Sequence, residues 1–222
     1  MISVVIPAYN ASGTIEAALD SARAQQRVAL EIVVVDDGSD DGTRDVVRAY
    51  GSGVRLLEAT HKGAVPAANA GFRAATGTYV VKLDADDRLE DAGALGALAA
   101  ALDNDPGAAY AYGDYIEERD GAPVRVSTAS NLFATIAGGV LFRRQALDEV
   151  GGYAEDLRFP EYDLLLRTRG HWRGIHVPVL TYRYIRRGAS LTGSRAFVEQ
   201  GLAELRARHP DHLSAIEHIR EY

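Results

Sequence analysis

The chain has 222 residues, of which 47% are hydrophobic, and it carries no cysteine and a net charge of −7. This length and composition predict one globular domain with an ample core, and the lack of cysteine excludes disulfides and thiolate metal sites. The acidic balance argues against a general nucleic-acid-binding protein, whose phosphate contacts need a basic face.

No stretch reaches the roughly 18 apolar residues of a membrane-spanning helix, and the first residues lack the basic segment of a signal peptide. We therefore expect a cytoplasmic protein without a transmembrane segment. Residues 195–222 show a weak amphipathic pattern, whose favoured use is to cover the domain's own core. A peripheral contact at the inner membrane face or a dimer contact is the alternative.

The first 104 residues alternate strands rich in valine and isoleucine with helical patterns. We predict strands at 2–6, 31–35, 54–57 and 79–83, and helices at 14–26, 41–50, 65–76 and 91–102. This alternation predicts an α/β fold with a mostly parallel sheet and helices on both faces, since parallel strands need crossover connections. Ligands of such sheets bind at the carboxyl ends of the strands, where three polar clusters occur at 7–10, 36–39 and 84–87.

The pattern changes after residue 104. Alternating tyrosines, a turn at Asp120-Gly121 and a returning segment at 124–126 predict an antiparallel hairpin. Later elements are a short helix ending at Gly151-Gly152, a helix at 162–168, a strand at 179–184 and a helical tail broken at Pro210. No repeat or linker is visible, so we predict a single domain over 1–222, with halves at 1–104 and 105–194 and a tail at 195–222.

Three carboxylates follow the fourth strand within four positions, at Asp84, Asp86 and Asp87. Like charges at this spacing repel, and an unpaired buried carboxylate is costly, so a positive charge is expected to be missing from the sequence. A divalent cation, a cluster of arginines and plain solvent around a surface turn are the three candidates. Solvent is the least favoured, because a strand leads directly into the cluster.

Several motifs follow one another along the chain: VVIPAYN at 4–10, VVDDGSDDGT at 34–43, AANAG at 67–71, LDADD at 83–87, GGVLFRR at 138–144, EVGGY at 149–153 and EYDLLLR at 161–167. Together they resemble the family 2 glycosyltransferases of the GT-A fold, over roughly residues 1–190. The resemblance implies a Rossmann-like, mostly parallel sheet with helices on both faces and a small antiparallel acceptor-side subregion.

The resemblance also implies an enzyme of glycan or polysaccharide biosynthesis. Such an enzyme moves a hexosyl or related sugar from a UDP- or GDP-linked donor to a glycan or lipid-linked acceptor, usually with inversion and with Mn²⁺ or Mg²⁺. The residues assigned to the donor are Pro7, Ala8, Tyr9, Asn10, Asp36, Asp37, Lys62, Asn69, Asp84, Ala85, Asp86, Arg186 and Arg187.

The donor base is expected against the aromatic face of Tyr9, where Pro7 fixes the backbone. By the resemblance, Asp36 or Asp37 accepts from the base or ribose, and Gly38 allows the tight turn that follows. The alternative is an ordinary turn in which Asp37, Ser39 or Asp40 caps the next helix. A response-regulator receiver also carries an acidic pair after a strand.

The resemblance assigns the metal to Asp86, with Asp84 at the ribose or at a metal-bound water. A divalent cation that bridges carboxylate and diphosphate oxygens would offset the repulsion of the acidic cluster, so the missing charge is expected to arrive with the donor. Asp87 is expected to cap a helix after the cluster.

The third motif departs from the family, because Ala68 precedes Asn69 where relatives often have arginine. A contact to the base or phosphate is therefore either absent or moved to Lys62. Relatives also place a histidine after the late strand, where this chain has Arg186 and Arg187. We expect one of these arginines to clamp the diphosphate, with a solvated surface pair as the alternative. We assign His171 and His176 to the surface or to packing.

The catalytic base is expected at Glu161, where the family commonly has aspartate, with Asp163 as the fallback. The alternative for Glu161 is a favourable charge at a helix N-terminus. Glycines 138, 139, 151 and 152 lie where relatives build the acceptor pocket, although tight turns explain them equally well.

Two further functions fit parts of the pattern. A catalytically degenerate nucleotide-sugar-binding protein agrees with the altered base and the missing arginine and histidine. A phosphotransfer protein or phosphatase using Asp84 and Asp86 ranks last, because that chemistry wants its aspartates on an early strand with a partner lysine.

Overall fold

The computed structural model describes residues 1–119, 121–130, 132, 138–187, 194–217 and 219. Asp120 of the predicted hairpin turn and residues 218 and 220–222 of the predicted tail therefore lie outside the described residues. None of the helices formed by the described residues is long and apolar enough to cross a bilayer.

Nine strands are formed by the described residues: β1 Ile2–Ala8, β2 Leu30–Asp36, β3 Arg55–Glu58, β4 Tyr79–Lys82, β5 Arg88–Leu89, β6 Tyr110–Arg119, β7 Ala122–Val126, β8 Leu141–Arg143 and β9 Gly174–Arg186. The α-helices among the same residues are α1 Ile15–Arg23, α2 Thr43–Ala49, α3 Ala64–Ala74, α4 Ala94–Asn104, α5 Arg144–Val150, α6 Pro160–Arg167, α7 Arg195–Arg208 and α8 Leu213–Glu217. Short 3₁₀ turns occupy Gly51–Gly53 and Pro210–His212.

All described strands join one sheet in the order β3-β2-β1-β4-β8-β6-β9-β5, with β7 paired to β6. The block β3-β2-β1-β4 is parallel throughout, as the alternation of strands and helices requires. Beyond it, β8 is antiparallel to β4 and β6, β6 and β9 run parallel, and the β6–β7 hairpin is antiparallel. The predicted α/β fold with an antiparallel second region is confirmed.

Helices cover both faces of the sheet. On one face the largest apolar cluster joins β1 and β4 to α1 and α4, for example through Ile6, Leu19 and Leu98. On the other face Val5 and Val80 pack with Phe72 of α3 and Leu147 of α5. Central parallel strands buried on both faces explain the continuous Val and Ile runs of β1, β2 and β4.

The C-terminal helices pack on α6. Phe159, Tyr162 and Leu166 form an apolar cluster with Val198 and Leu205 of α7, and Leu205 is fully buried. The prediction that the tail covers the chain's own apolar surface is therefore confirmed for its described part.

Candidate functional site

Three neighbouring parallel strands end together at one edge of the sheet. β1 and β2 pair as far as Ala8 and Asp36, and β4 pairs with β1 as far as Lys82. Pro7 and Ala8 lie inside β1 and are buried, whereas the sequence placed them after it. Pro7 is tolerated there because β4 no longer pairs with β1 at this level, so its missing N–H breaks no bond to β4.

Tyr9 and Asn10 follow β1 at this edge. The Tyr9 ring is 48% exposed and lies 4.1 Å from the His61 ring, centroid to centroid. Asn10 has φ 48°, its N–H donates to Ser39 Oγ, and its Oδ1 accepts from the N–H of Asp40. Asn10 thus joins the loop after β1 to the loop after β2, and Tyr9 keeps an accessible aromatic face beside them.

Asp36 ends β2 and is fully buried. Its Oδ2 accepts from Arg44 Nε at 2.6 Å and from the N–H of Ser39, while its buried Oδ1 has no hydrogen-bond partner. Burial raises the pKa of Asp36, but the bonds from Ser39 and Arg44 outweigh it and hold that pKa below its usual value. An ionised, half-satisfied carboxylate at a strand end is equipped to accept one more N–H or O–H.

Asp37 organises the neighbouring turn between β3 and α3. Its two oxygens accept from the backbone N–H groups of Lys62 and Gly63, at 2.9 and 2.8 Å, and His61 Nδ1 lies 3.0 Å from Oδ2. The Lys62 side chain itself is exposed. Helix α2 begins later, at Thr43, whose N–H bonds Asp41, so Asp37, Ser39 and Asp40 do not cap it.

The acidic turn after β4, at Asp84, Asp86 and Asp87, is paired with side chains of this chain. Lys82 Nζ lies 3.0 Å from Asp84 Oδ1, and Arg187 Nη1 lies 3.2 Å from Asp86 Oδ2 and 2.7 Å from the Asp86 carbonyl oxygen. A lysine two residues upstream and an arginine a hundred residues downstream therefore supply positive charge beside the turn. The further cation expected to arrive with the donor stays a prediction.

The carboxyl groups of the turn nevertheless remain crowded. Burial and the nearby Asp84 raise the pKa of Asp86, and Arg187 offsets only part of this. Burial, with Asp84 and Asp86 close by, raises the pKa of Asp87 to about 8. The crowding therefore makes it costly for all three carboxyl groups of the turn to be ionised together.

Asp87 is a structural carboxyl group rather than a helix cap, which corrects the expectation from sequence. It is 2% exposed, strand β5 follows it, and it accepts from the Tyr182 hydroxyl and from the N–H of Ile185, both at 2.8 Å. The Tyr182 hydroxyl also accepts from the N–H of Asp84. Asp87 thus fastens the acidic turn to the end of β9, next to Arg186 and Arg187.

Glu161 faces the acidic turn from α6. It lies in the first turn of this helix, after Pro160, and its Oε1 is 2.8 Å from Lys82 Nζ. Burial lowers the pKa of Lys82, but Asp84 and Glu161 outweigh it and hold that pKa well above its usual value, so the amine is charged. One ammonium therefore joins the predicted base to the predicted donor site.

Asp163 lies on the opposite face of α6, because residues two apart are turned by about 200° around a helix. It is 1% exposed, and its oxygens lie 2.8 Å from His209 Nε2 and 3.2 Å from Arg167 Nε. The tail encloses this side chain, so the structure does not bring Asp163 to the acidic turn together with Glu161.

The Asn69 side chain is hydrogen-bonded to the segment that follows α5. It is buried, its amide nitrogen donates to the carbonyl of Tyr153 and to Glu155, and its Oδ1 accepts from the N–H of Tyr153. The amide therefore holds the turn after α5, and the assignment of Asn69 to the donor stays a prediction. Gly152, at φ 76°, belongs to that turn, and a Cβ there would lie 2.6 Å from Asn69 Oδ1.

The other glycine pair is explained by packing against Tyr182. A Cβ on Gly138 or Gly139 would lie 3.0–3.1 Å from the Tyr182 side chain.

Arg186 was predicted, like Arg187, to contact the diphosphate. In the structure its Nη1 lies 3.2 Å from Glu117 Oε1. His176 is bonded to Asp114 at 2.9 Å, in agreement with its assignment to packing.

Oxygen ligands for a cation are present but few. Asp86 has a half-exposed carboxylate, and Ala85 between it and Asp84 is buried in the turn. Within the described parts of the chain no group of three or more His, Asp and Glu side chains is arranged to hold a metal ion. The carboxylates of the turn that remain partly exposed are those of Asp84 and Asp86.

Sequence reasoning did not single out Lys82, Tyr182, His61 or Arg44. A signal for Lys82 was present, since a lysine in a buried strand needs an anionic partner. Tyr182 and Arg44 carry no comparable signal in the sequence. Their contacts with Asp87 and Asp36 arise only when the chain folds.

A model of the family described as "Glycosyl transferase family 2" matches residues 3–154. Among curated proteins, the uncharacterized glycosyltransferase YibD of Escherichia coli K12 is 40% identical over 91 residues, which make up 40% of this chain and 26% of YibD. The matched regions span between 10% and 47% of the curated relatives.

Two solved structures share the fold. The mannosyltransferase PcManGT of Pyrobaculum calidifontis, in complex with GDP-Man and Mn²⁺, has a TM-score of 0.78 at 24% identity, over 98% of this chain and 68% of that one. TarS of S. aureus, in complex with UDP-GlcNAc, has a TM-score of 0.75 at 19% identity, over 97% of this chain and 71% of that one.

Proposed function

The chain belongs to glycosyl transferase family 2, and from this premise we propose that it moves a sugar from a nucleoside diphosphate donor to an acceptor hydroxyl, with inversion. The observation that carries the proposal is the meeting of the acidic turn with Glu161. The turn follows β4, beside the ends of β1 and β2, and Lys82 connects Asp84 to Glu161 across it.

The strand ends divide the work of binding the donor. The exposed face of Tyr9 suits stacking of the base, and the unpartnered Oδ1 of Asp36 suits an N–H or O–H of the base or ribose. The partly exposed carboxylates of Asp84 and Asp86 would suit a divalent cation that also binds the diphosphate. When bound, Mn²⁺ or Mg²⁺ would supply Lewis-acid stabilisation of the leaving diphosphate.

In the proposed reaction Glu161 takes the proton of the acceptor hydroxyl, and the acceptor oxygen attacks the anomeric carbon. The bond from that carbon to the diphosphate oxygen breaks, and its electron pair leaves with the nucleoside diphosphate. A positioned base contributes about 10²–10⁴ in rate. Arg187, on the other side of the turn, is placed to meet the negative charge that develops on the leaving group.

Two measurements test the proposal. Calorimetry with UDP and with GDP, each with and without Mn²⁺, should show binding of one nucleotide that the cation strengthens. Nucleotide release should then be followed with UDP- and GDP-linked sugars and with glycan and lipid-linked acceptors. Both bases belong in the panel because the TarS and PcManGT complexes hold UDP-GlcNAc and GDP-Man.

Glu161→Gln should keep the nucleotide affinity of the unmodified chain and lower transfer by about 10²–10⁴. Asp163→Asn is the matched comparison on the same helix, and transfer by this variant should survive if the variant folds. Binding without transfer by the unmodified chain across the panel would instead support the degenerate nucleotide-sugar-binding protein.

A further inference from the structure

We propose that Lys82 is a positioning residue that sets Glu161 as the base against the donor turn. The inference rests on the proposed function and assigns a role to a residue that the motifs leave out. Lys82 is the last residue of β4, and its Nζ contacts Asp84 Oδ1 at 3.0 Å and Glu161 Oε1 at 2.8 Å. It connects the element that carries the donor to the helix that carries the base.

The location of Lys82 makes it a rigid support. Its side chain is 17% exposed, and its backbone is paired with Val5 in the centre of the parallel sheet. Glu161, by contrast, is a long side chain in the first turn of a helix, 23% exposed. A flexible carboxylate serves as a base only when it is held within hydrogen-bond reach of the proton that it removes.

The contact leaves the base usable. The ammonium group has three donors, which suffice for the two oxygens of Asp84, at 3.0 and 3.1 Å, and for one oxygen of Glu161. With Oε1 of Glu161 fixed by Lys82, Oε2 is the oxygen available to the acceptor hydroxyl. Because both carboxylates contact the same nitrogen atom, Lys82 sets the distance between Glu161 and Asp84.

The alternative role for Lys82 is charge neutralisation alone. A buried cation between two carboxylates stabilises the fold whether or not catalysis depends on it. The two roles predict different kinetics, because a neutralising lysine affects folding and donor binding together. A positioning lysine affects the chemical step through Glu161 and loses its effect when Glu161 is removed.

The test uses Lys82→Met, Lys82→Arg, Glu161→Gln and the Lys82→Met/Glu161→Gln double variant. We expect Lys82→Met to lower kcat by about 10²-fold, while the Kd of UDP or GDP with Mn²⁺ changes by less than about threefold. Lys82→Arg keeps the charge, and its kcat should be at least about tenfold higher than that of Lys82→Met. Adding Lys82→Met to Glu161→Gln should lower the residual rate by less than about threefold.

Arg125→Met is the matched control, because it removes a cation from another buried carboxylate, Asp114, outside the proposed site. Thermal melts of all variants identify any that fail to fold. The double variant removes Glu161, one of the two carboxylates that Lys82→Met leaves without a cation.

The proposal is overturned if Lys82→Met transfers sugar at the rate of the unmodified chain. It is also overturned if nucleotide affinity falls as far as kcat, or if the substitution has the same effect with and without Glu161. Absence of transfer by the unmodified chain would overturn the proposed function itself, which distinguishes the two failures.

Discussion

Arg187 and Asp86 form an ion pair at the position where the proposed donor diphosphate would bind. The Arg187 side chain is 40% exposed, so it is not packed into this arrangement. An arginine can exchange a carboxylate for a phosphate without losing charge-assisted hydrogen bonds, since its planar donors match both groups. This pair therefore holds Arg187 close to the charge that the proposed reaction produces.

Arg187→Met should weaken binding of UDP or GDP in the presence of Mn²⁺ by roughly tenfold, the low end of what a hydrogen bond to a charged group contributes. Calorimetry on the variant and on Arg88→Met checks this. Arg88 is an exposed arginine on β5, just after the acidic turn, and its removal should leave the affinity nearly unchanged. Unchanged or tighter binding by Arg187→Met would mean that Arg187 only competes with the cation for Asp86.

The positions of candidate residues were predictable where one motif contains both the residue types and the element that carries them. The acidic turn and Glu161 each follow this rule, and the structure brings them together through Lys82. Roles that depend on a distant partner were not predictable. Asn69 and Asp163 are polar residues in recognisable motifs, yet both are buried against segments that the motifs do not specify, Tyr153 and His209.

At the scale of elements, the β6–β7 hairpin is held by one buried carboxylate. Asp114 of β6 accepts from Arg125 of β7 at 2.7 Å, from His176 of β9 at 2.9 Å, and from Ser127 and Thr128 at 3.2 Å. Burial raises the pKa of Asp114, but these bonds outweigh it and lower that pKa to about 2. The ionised form is therefore favoured by the folded protein.

A lowered pKa contributes stability that is present above the unfolded value of about 4 and is lost as pH falls towards about 2. Asp114→Asn should therefore melt well below the unmodified chain at pH 7, and the gap in Tm should narrow as pH falls from about 4 to about 2. Calorimetric melts across this range measure the gap. A gap that stays constant with pH would show that the charge of Asp114 is not what stabilises the hairpin.

Helix α6 shows how one short element serves two purposes. Glu161 meets Lys82 on one face, while Tyr162 and Leu166 pack against the C-terminal helices, and His209 bonds Asp163. The sequence predicted a helix at 162–168, and the structure starts it at Pro160, which is favourable at a first helical position. That earlier start places Glu161 in the first turn, where a negative charge is stabilised.

At the scale of the whole molecule, the sheet is continuous across the two predicted halves. β4 of the first half pairs with β8 of the second, and one apolar cluster contains Ile2 and Val81 together with Leu141 and Tyr182. The parallel block was predictable because its strands alternate along the chain with segments whose apolar residues recur at helical spacing. The order of β8, β6 and β9 was not, since these pairings join residues far apart in sequence and no local pattern specifies them.

Because both halves share one sheet and one core cluster, we expect the chain to unfold in a single cooperative transition. Trp172 is the only tryptophan, and its ring lies 6.2 Å from Phe142 and 6.4 Å from Tyr110, so its fluorescence reports on the second half. Far-UV circular dichroism reports on all helices and strands, including the first half. Midpoints of urea unfolding measured by the two probes should therefore coincide.

A nucleotide bound at the proposed site should stabilise the folded chain by the same amount whichever of the two probes follows unfolding. At a free concentration of 100 times its Kd, it should raise the free energy of unfolding by about 2.7 kcal/mol, measured by fluorescence and by circular dichroism alike. The reason is that the proposed site takes Asp36 and Asp84 from the first half and Glu161 from the second. A fluorescence transition that comes earlier and does not respond to nucleotide would show that the second half unfolds independently, against the prediction of one domain.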